Sequence, residues 1–135
     1  MMPIALAALF ATISGSAPAQ PVVLFSSEAI EVARNAATEQ SRAPLPTGAA
    51  FDIPEQPTKL QPGYFWVNYY VGVHIRMTVW INVTTGQVVD PDHCLYFHGL
   101  QIQAFSATIR KMTRAHPIPL GQLARDVGCD SLKPD

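Results

Sequence analysis

The most regular alternation of apolar and polar residues in this chain runs from His74 to Val83. Apolar side chains occupy every second position, and polar or aromatic side chains occupy the positions between them. A period of two residues is typical of a β-strand with one face in a core. The apolar set is Ile75, Met77, Val79, Ile81 and Val83, and the intervening set is His74, Arg76, Thr78, Trp80 and Asn82.

A second run of aromatic and β-branched residues, "GYFWVNYYV", ends at Val71, so the two runs predict a β-hairpin around Gly72. A two-residue loop would pair odd positions with even ones and place Asn68 opposite Met77 in the core. Burying an unpaired amide costs about 1–3 kcal/mol. We therefore predict a three-residue loop over 71–73. The expected pairs are Tyr69 with Ile75, Val67 with Met77, and Phe65 with Val79.

Helical patterns flank this hairpin. Residues 26–40 predict a helix with Ser26 or Ser27 as its N-cap, residues 99–115 predict a second helix, and residues 119–129 predict a short third one. The predicted buried positions are Ile30, Ala33 and Ala37 in the first helix, Ile102, Phe105, Ile109 and Met112 in the second, and Leu120, Leu123 and Val127 in the third.

Five prolines between residues 42 and 63 predict an extended connection, because proline interrupts helices and central strands. Residues 87–90 are expected to return as a short strand after a turn at Thr84–Gly86. The predicted fold class is α+β. A small antiparallel sheet with a central hairpin is packed by an N-terminal helix and a C-terminal helix pair, and residues 20–135 form one domain.

The first nineteen residues predict a signal peptide. An apolar run from Pro3 to Ile13 is followed by small residues ending in Ala17-Pro18-Ala19, an A-x-A cleavage pattern. The run is too short for a permanent transmembrane helix, so we expect no membrane span in the mature chain. The alternative is a buried N-terminal helix. A periplasmic or secreted protein is therefore expected.

Composition narrows the possible partners. The formal net charge is −1 and charged residues make up 14% of the chain, which argues against nucleic acid as a partner.

In an oxidising compartment the two cysteines, Cys94 and Cys129, are expected to form a disulfide. Closing this loop would stabilise the fold by about 4 kcal/mol in the chain-entropy model.

The stretch "DPDHC", from Asp90 to Cys94, contains residue types that bind metals. We interpret it as a turn followed by the disulfide, with no metal and no cofactor. The alternative is a metal or hydrolase site built on Asp92, His93 and His98. A nucleophilic Cys94 activated by His74, His93 or His98 would require a free thiol. No catalytic residue is assigned.

The outer face of the predicted hairpin is the candidate binding surface. Tyr, Trp and Arg side chains often anchor protein interfaces, and this face would carry several of them. The alternative is that the C-terminal helix or the proline-rich segment covers it. The predicted binding residues are Trp66, Asn68, Tyr70, His74, Arg76 and Trp80.

A helix such as "SEAIEVARNAA", two strands, and a strand end "WINVTTGQVV" together resemble the PepSY-type domain over residues 26–89. Asn82 stands where that motif usually has an acidic residue. The resemblance implies a small bacterial envelope module with an inhibitory or protein-binding role. The sequence thus predicts an exported, non-enzymatic protein-binding module, of inhibitor or immunity type, acting on an envelope enzyme. The alternatives are the metal-binding protein or hydrolase above, and a structural envelope accessory protein.

Overall fold

The computed structural model describes residues 19–56 and 63–134, so the predicted signal peptide lies outside the described residues except for Ala19. Within these ranges the helices are α1 (Ser26–Ser41), α2 (Leu100–Thr113) and α3 (Leu120–Asp126). The strands are β1 (Ala49–Asp52), β2 (Tyr64–Val71), β3 (His74–Asn82), β4 (Val88–Asp90), β5 (Leu95–Phe97) and β6 (Lys133–Pro134). No helix in this part of the chain is long and apolar enough to cross a membrane.

The strands form one sheet in the order β1-β2-β3-β4-β5-β6. Neighbouring strands are antiparallel except for β5 and β6, which are parallel. The predicted α+β class, the central hairpin, the N-terminal helix and the C-terminal helix pair are confirmed. The strand predicted within 87–90 is β4. Strands β5 and β6 are too short to give a two-residue period in the sequence.

The hairpin is present, but its predicted register is wrong. Tyr69 pairs with Met77 rather than with Ile75, and the turn has two residues, Gly72 and Val73. Gly72 supplies the positive φ, 64°, that such a turn needs at its first position. One extra residue of β3, Arg76, then forms a β-bulge opposite the step from Tyr69 to Tyr70. The bulge restores odd-to-odd pairing, so Asn68 stays out of the core by a different route from the one predicted.

Helices α1 and α2 cover one face of the sheet, here called the inner face. Alanines dominate the buried side of α1 and let it lie close to the strands. The buried members are Leu24 before α1, Ala29, Val32, Ala33, Ala36 and Ala37 of α1, Ile102 and Ile109 of α2, and Val67, Tyr69, Met77, Val79, Ile81, Val88 and Phe97 of the sheet.

Helix α1 begins one residue earlier than its predicted caps imply. Phe25 is the N-cap, and its backbone N–H donates to the Glu28 carboxylate at 3.2 Å. The predicted caps Ser26 and Ser27 are therefore wrong, because an acidic side chain at the third helical position supplies the acceptor. Of the predicted buried positions, Ala33 and Ala37 are buried and Ile30 is half-buried.

Helix α2 buries most of its predicted apolar stripe, since Ile102 and Ile109 are buried and Phe105 packs against the core. Met112, predicted to be buried, is 66% exposed, whereas Ser106 and Thr113 are buried. The two hydroxyls donate to the carbonyls of Gly86 and Thr84 in the loop after β3. Hydrogen bonding to this loop therefore sets the rotation of α2. In α3, Leu123 and Val127 are buried as predicted, but Leu120 is 39% exposed.

The proline-rich connection contains an edge strand. Strand β1 lies between Pro46 and Pro54 and pairs with β2 through Ala50 opposite Tyr70 and Asp52 opposite Asn68. Proline excludes a central strand but permits an edge strand between two prolines. Beyond β1, the side chain of Gln56 replaces a strand by bonding both backbone groups of Trp66.

Candidate functional site

The outer face of the sheet is divided into a covered half and an open half. In the covered half Trp80 is only 9% exposed and stacks on Trp66, with ring centroids 4.5 Å apart. Helix α3 and the chain after it lie over these rings. The side chains that cover them are Leu123, Ala124, Val127 and Leu132. Trp80 is thus a core residue of this second cluster, as the alternative of a covering C-terminal helix implied.

The open half lies toward the β2–β3 turn. Asn68 and Thr78 are paired there, half-buried, and joined by a 3.2 Å hydrogen bond between their side chains. Tyr70 follows on the same face. Ile75, which pairs with Tyr70, shares that face and is 56% exposed.

The bulge at Arg76 moves two predicted site residues to the other side of the hairpin. His74 pairs with Val71, which belongs to the inner-face series with Tyr69. Arg76 lines a cavity of about 310 Å³ together with Tyr69 and Val71. The structure therefore leaves Trp66, Asn68, Tyr70 and Trp80 on the outer face, while His74 and Arg76 flank the end of the hairpin.

We define the hairpin end as residues 70–76. Val73, in the turn itself, is 88% exposed, and Ile75 follows two residues later. Arg76 is exposed and forms no ion pair with the described part of the chain. An apolar tip beside an unpaired guanidinium is a combination suited to an interface with another protein.

Val73 and Ile75 were missing from the predicted site. Strict alternation placed Ile75 in the core, and the bulge reverses its face. A valine beside Gly72 was the available signal, because turn positions usually carry polar residues or glycine.

The "DPDHC" stretch is a turn, as the main interpretation held. Asp90 is fully buried, and its Oδ1 accepts the backbone N–H groups of Asp92 at 2.9 Å and His93 at 3.2 Å. Its other oxygen lies 2.7 Å from Nδ1 of His93. Burial raises the pKa of the Asp90 carboxyl, and the hydrogen bonds from His93 oppose that rise. Asp90 thus anchors the turn.

The residues of the proposed metal alternative serve separate structural contacts. His93 contacts Asp90, whereas the backbone N–H of His98 donates to Glu39 of α1 at 2.9 Å. Across residues 19–56 and 63–134 no group of three or more His, Cys, Asp and Glu side chains could hold a metal ion.

Cys94 and Cys129 form the predicted disulfide, with 5.8 Å between their Cα atoms. A nucleophilic Cys94 is therefore excluded in this oxidised form, because its sulfur is already bonded. The disulfide joins the β4–β5 turn to the chain that follows α3.

Comparison with known proteins gives a fold likeness. Neither a family model nor a curated protein matches the chain, so the PepSY-type resemblance stays a prediction. One solved structure has a similar chain and is described as a type VI secretion system effector-immunity complex from Pseudomonas protegens. The TM-score is 0.64 and the identity 17%, over 78% of this chain and 90% of that chain. At this identity the likeness shows a shared fold.

Proposed function

We propose that this protein is an exported, non-enzymatic module that binds another protein as an inhibitor or immunity protein does, and that the partner docks on the hairpin end. The observation that carries the proposal is the exposure of Val73 and Ile75 beside the unpaired Arg76. Water contact with such apolar groups is unfavourable, and covering them in a complex would remove that cost.

The chemistry of the hairpin end defines the partner's contact zone. Val73, Ile75 and the ring of Tyr70 require an apolar surface. Arg76 and the adjacent His74 require acceptors, and a carboxylate of the partner would pair with the guanidinium in two hydrogen bonds. We therefore expect an apolar recess on the partner with an acidic rim.

Two further observations support this proposal. The solved structure with a similar chain contains an effector and its immunity protein, so this fold occurs in a complex of that kind. The disulfide fits an exported protein, since such bonds persist in oxidising compartments. The PepSY-type resemblance of the sequence points in the same direction, toward an inhibitory envelope module.

The other functions have less support. A metal or hydrolase site would need Asp92, His93 and His98 to converge, but His93 is engaged by Asp90 and His98 lies at the end of β5 beside α1. A structural envelope accessory protein has no observation in its favour.

A binding experiment with matched variants tests the proposal. The tagged, exported protein is used to capture partners, and a captured partner is then purified and titrated. Val73→Ser/Arg76→Glu should weaken binding by about 2 kcal/mol or more, the usual hot-spot threshold. The control Leu100→Ser/Lys111→Glu removes an equally exposed aliphatic side chain and a cation from α2 and should bind as wild type does. Equal losses in both variants, or a loss in the control alone, would contradict the assigned surface.

A further inference from the structure

Residues 115–134, here called the C-terminal segment, form a separate cover on the outer face. Leu123, Ala124, Val127 and Leu132 pack with Trp80 and Val89 in a cluster that is distinct from the inner core. No residue of the segment belongs to the inner-face cluster beneath α1 and α2. The segment is therefore bound to the fold through one face of the sheet and through its own strand β6, which pairs with β5.

Besides its apolar packing, the cover is attached by two sets of backbone or amide hydrogen bonds, by the pairing of β6 with β5, and by the disulfide. The side-chain amide of Gln87 bonds both the N–H and the carbonyl of Ile118, each at 2.9 Å. The backbone N–H of Lys133 donates to the carbonyl of Cys94 at 2.9 Å. The Cys94–Cys129 bond joins the same turn to the chain three residues past the end of α3.

The surface beneath the cover contains polar groups that the cover leaves unpaired. Nε1 of Trp80 and Nε1 of Trp66 are both buried without a hydrogen-bond partner among the described residues. A buried indole N–H that loses water and gains no acceptor opposes burial. The cost of burying these two indole N–H groups offsets part of the free energy gained from apolar packing of the segment. The disulfide therefore contributes a large share of what keeps the segment in place.

We propose that the disulfide is a redox-controlled latch, and that its reduction releases the C-terminal segment and opens the covered half of the outer face. A dithiol reductant supplies two electrons and two protons. The Cys94–Cys129 bond breaks, two S–H groups form, and the dithiol becomes a cyclic disulfide. Cys94 is the more accessible partner for attack, since it is half-buried as a residue whereas Cys129 is only 6% exposed.

Release of the C-terminal segment would expose the covered half of the outer face, so that it forms one continuous accessible surface with the open half. Trp80, Val89 and Tyr96 would become accessible next to the open half at Asn68 and Tyr70. The latch itself does not depend on the proposed function. If a partner docks at the hairpin end, the redox state would set how much of the neighbouring sheet it can also contact.

Amide hydrogen exchange and tryptophan quenching on the oxidised protein, with and without a dithiol, test the latch. On reduction, exchange in residues 119–134 should speed up by on the order of 10²- to 10³-fold, the scale of the lost loop constraint. Acrylamide should then quench Trp80 and Trp66 more strongly. Exchange in α1 and α2 should stay slow, because no residue of the C-terminal segment belongs to the core beneath these helices.

Two variants control this experiment. Cys94→Ser/Cys129→Ser should show the released behaviour with and without dithiol, and its response to dithiol should be absent. Leu123→Ser should loosen the segment while the disulfide stays oxidised. Unchanged exchange and quenching after reduction would overturn the latch, because packing alone would then hold the cover. Loss of protection throughout α1 and α2 would also overturn the proposal, since the disulfide would then stabilise the whole fold and not the C-terminal segment alone.

Discussion

Two effects oppose each other at Asp90, because its carboxyl group stabilises a turn while its burial disfavours the ionised form. Its carboxylate accepts two backbone N–H groups and so fixes the turn that carries Cys94, yet it is fully buried. Because burial raises its pKa in the folded state, the folded protein binds this proton more tightly than the unfolded chain does. The stability contributed by the tightly bound proton of Asp90 is fully present below the pKa of about 4 that an aspartate has in the unfolded chain. It is lost as the pH rises through the higher pKa of the folded state.

We expect Asp90→Asn to be tolerated and to flatten the pH dependence of stability. The amide oxygen would keep both backbone hydrogen bonds, and no charge would have to be buried. Relative to wild type, the variant's free energy of unfolding should improve as the pH rises from about 4 toward neutrality. Urea unfolding at several pH values measures this. Asp90→Ala leaves two N–H groups without an acceptor and should cost about 1–3 kcal/mol. A variant with the same pH profile as wild type would refute the assigned role of Asp90.

Trp80 and Ile75 show where residue-scale prediction from the sequence stops. Alternation assigned Ile75 to the core and Trp80 to the outer face, and the face of Trp80 is as predicted. Whether that face is covered depends on α3, which lies forty residues away in the chain, and the face of Ile75 depends on a bulge. Neither packing between distant segments nor an added bulge residue can be recognised in the local alternation of apolar and polar residues.

Trp80→Ala should destabilise the fold by about 3–5 kcal/mol, because it leaves a cavity between β3 and α3. Ile75→Ala, at an exposed position, should change stability by no more than about 0.5 kcal/mol. Guanidinium unfolding of both purified variants gives the comparison. A small loss for Trp80→Ala would mean that α3 does not close over this ring.

At the scale of elements, the loop between β3 and β4 fixes the position of α2. Asn82 Oδ1 accepts the N–H groups of Thr84 and Thr85, at 2.9 and 2.8 Å, so its side-chain amide caps the turn. The carbonyls of Thr84 and Gly86 then bind hydroxyls of α2. Gly86, with a φ of 74°, lies directly against the helix.

Gly86→Ala should destabilise the protein by about 2–4 kcal/mol. A Cβ there would meet Cα of Ser106 at 2.6 Å and Cβ of Ile109 at 2.9 Å, in addition to the backbone strain. Gly128→Ala is the matched control, since its φ is also positive, 84°, but nothing lies within 4 Å of the added atom. It should cost about 1–2 kcal/mol, from strain alone. Thermal unfolding compares the two, and equal losses would contradict close packing of α2 on the loop.

The long periodic elements were predictable, and so were β4 and α3, but the short strands β1, β5 and β6 were not. Strand β3 and helices α1 and α2 carry enough turns or pleats for their pattern to emerge. Strand β1 has four residues and lies among prolines, so it depends on pairing with β2 rather than on its own sequence. The burial of Ser106 and Thr113 in α2 was missed because hydroxyl side chains count as polar in a hydrophobicity pattern.

For the molecule as a whole, the two faces of the sheet are covered unequally. Helices α1 and α2 cover the inner face, whereas on the outer face α3 and the chain after it cover β3, β4, β5 and only the start of β2, at Tyr64 and Trp66. Within residues 19–56 and 63–134, no helix covers the outer face of the sheet near the β2–β3 turn. The apolar hairpin end therefore projects from the part of the molecule where the second layer stops.

Site-specific photo-crosslinking in the intact exported protein tests docking at the hairpin end most directly. A photoreactive phenylalanine analogue placed at Ile75 is compared with one at Met112, which is similarly exposed but lies on α2. If a partner docks at the hairpin end, position 75 gives one predominant protein adduct that position 112 does not give, and adding Arg76→Glu abolishes it. No specific adduct from position 75, or the same adduct from both positions, would contradict the claim that a partner protein docks at the hairpin end.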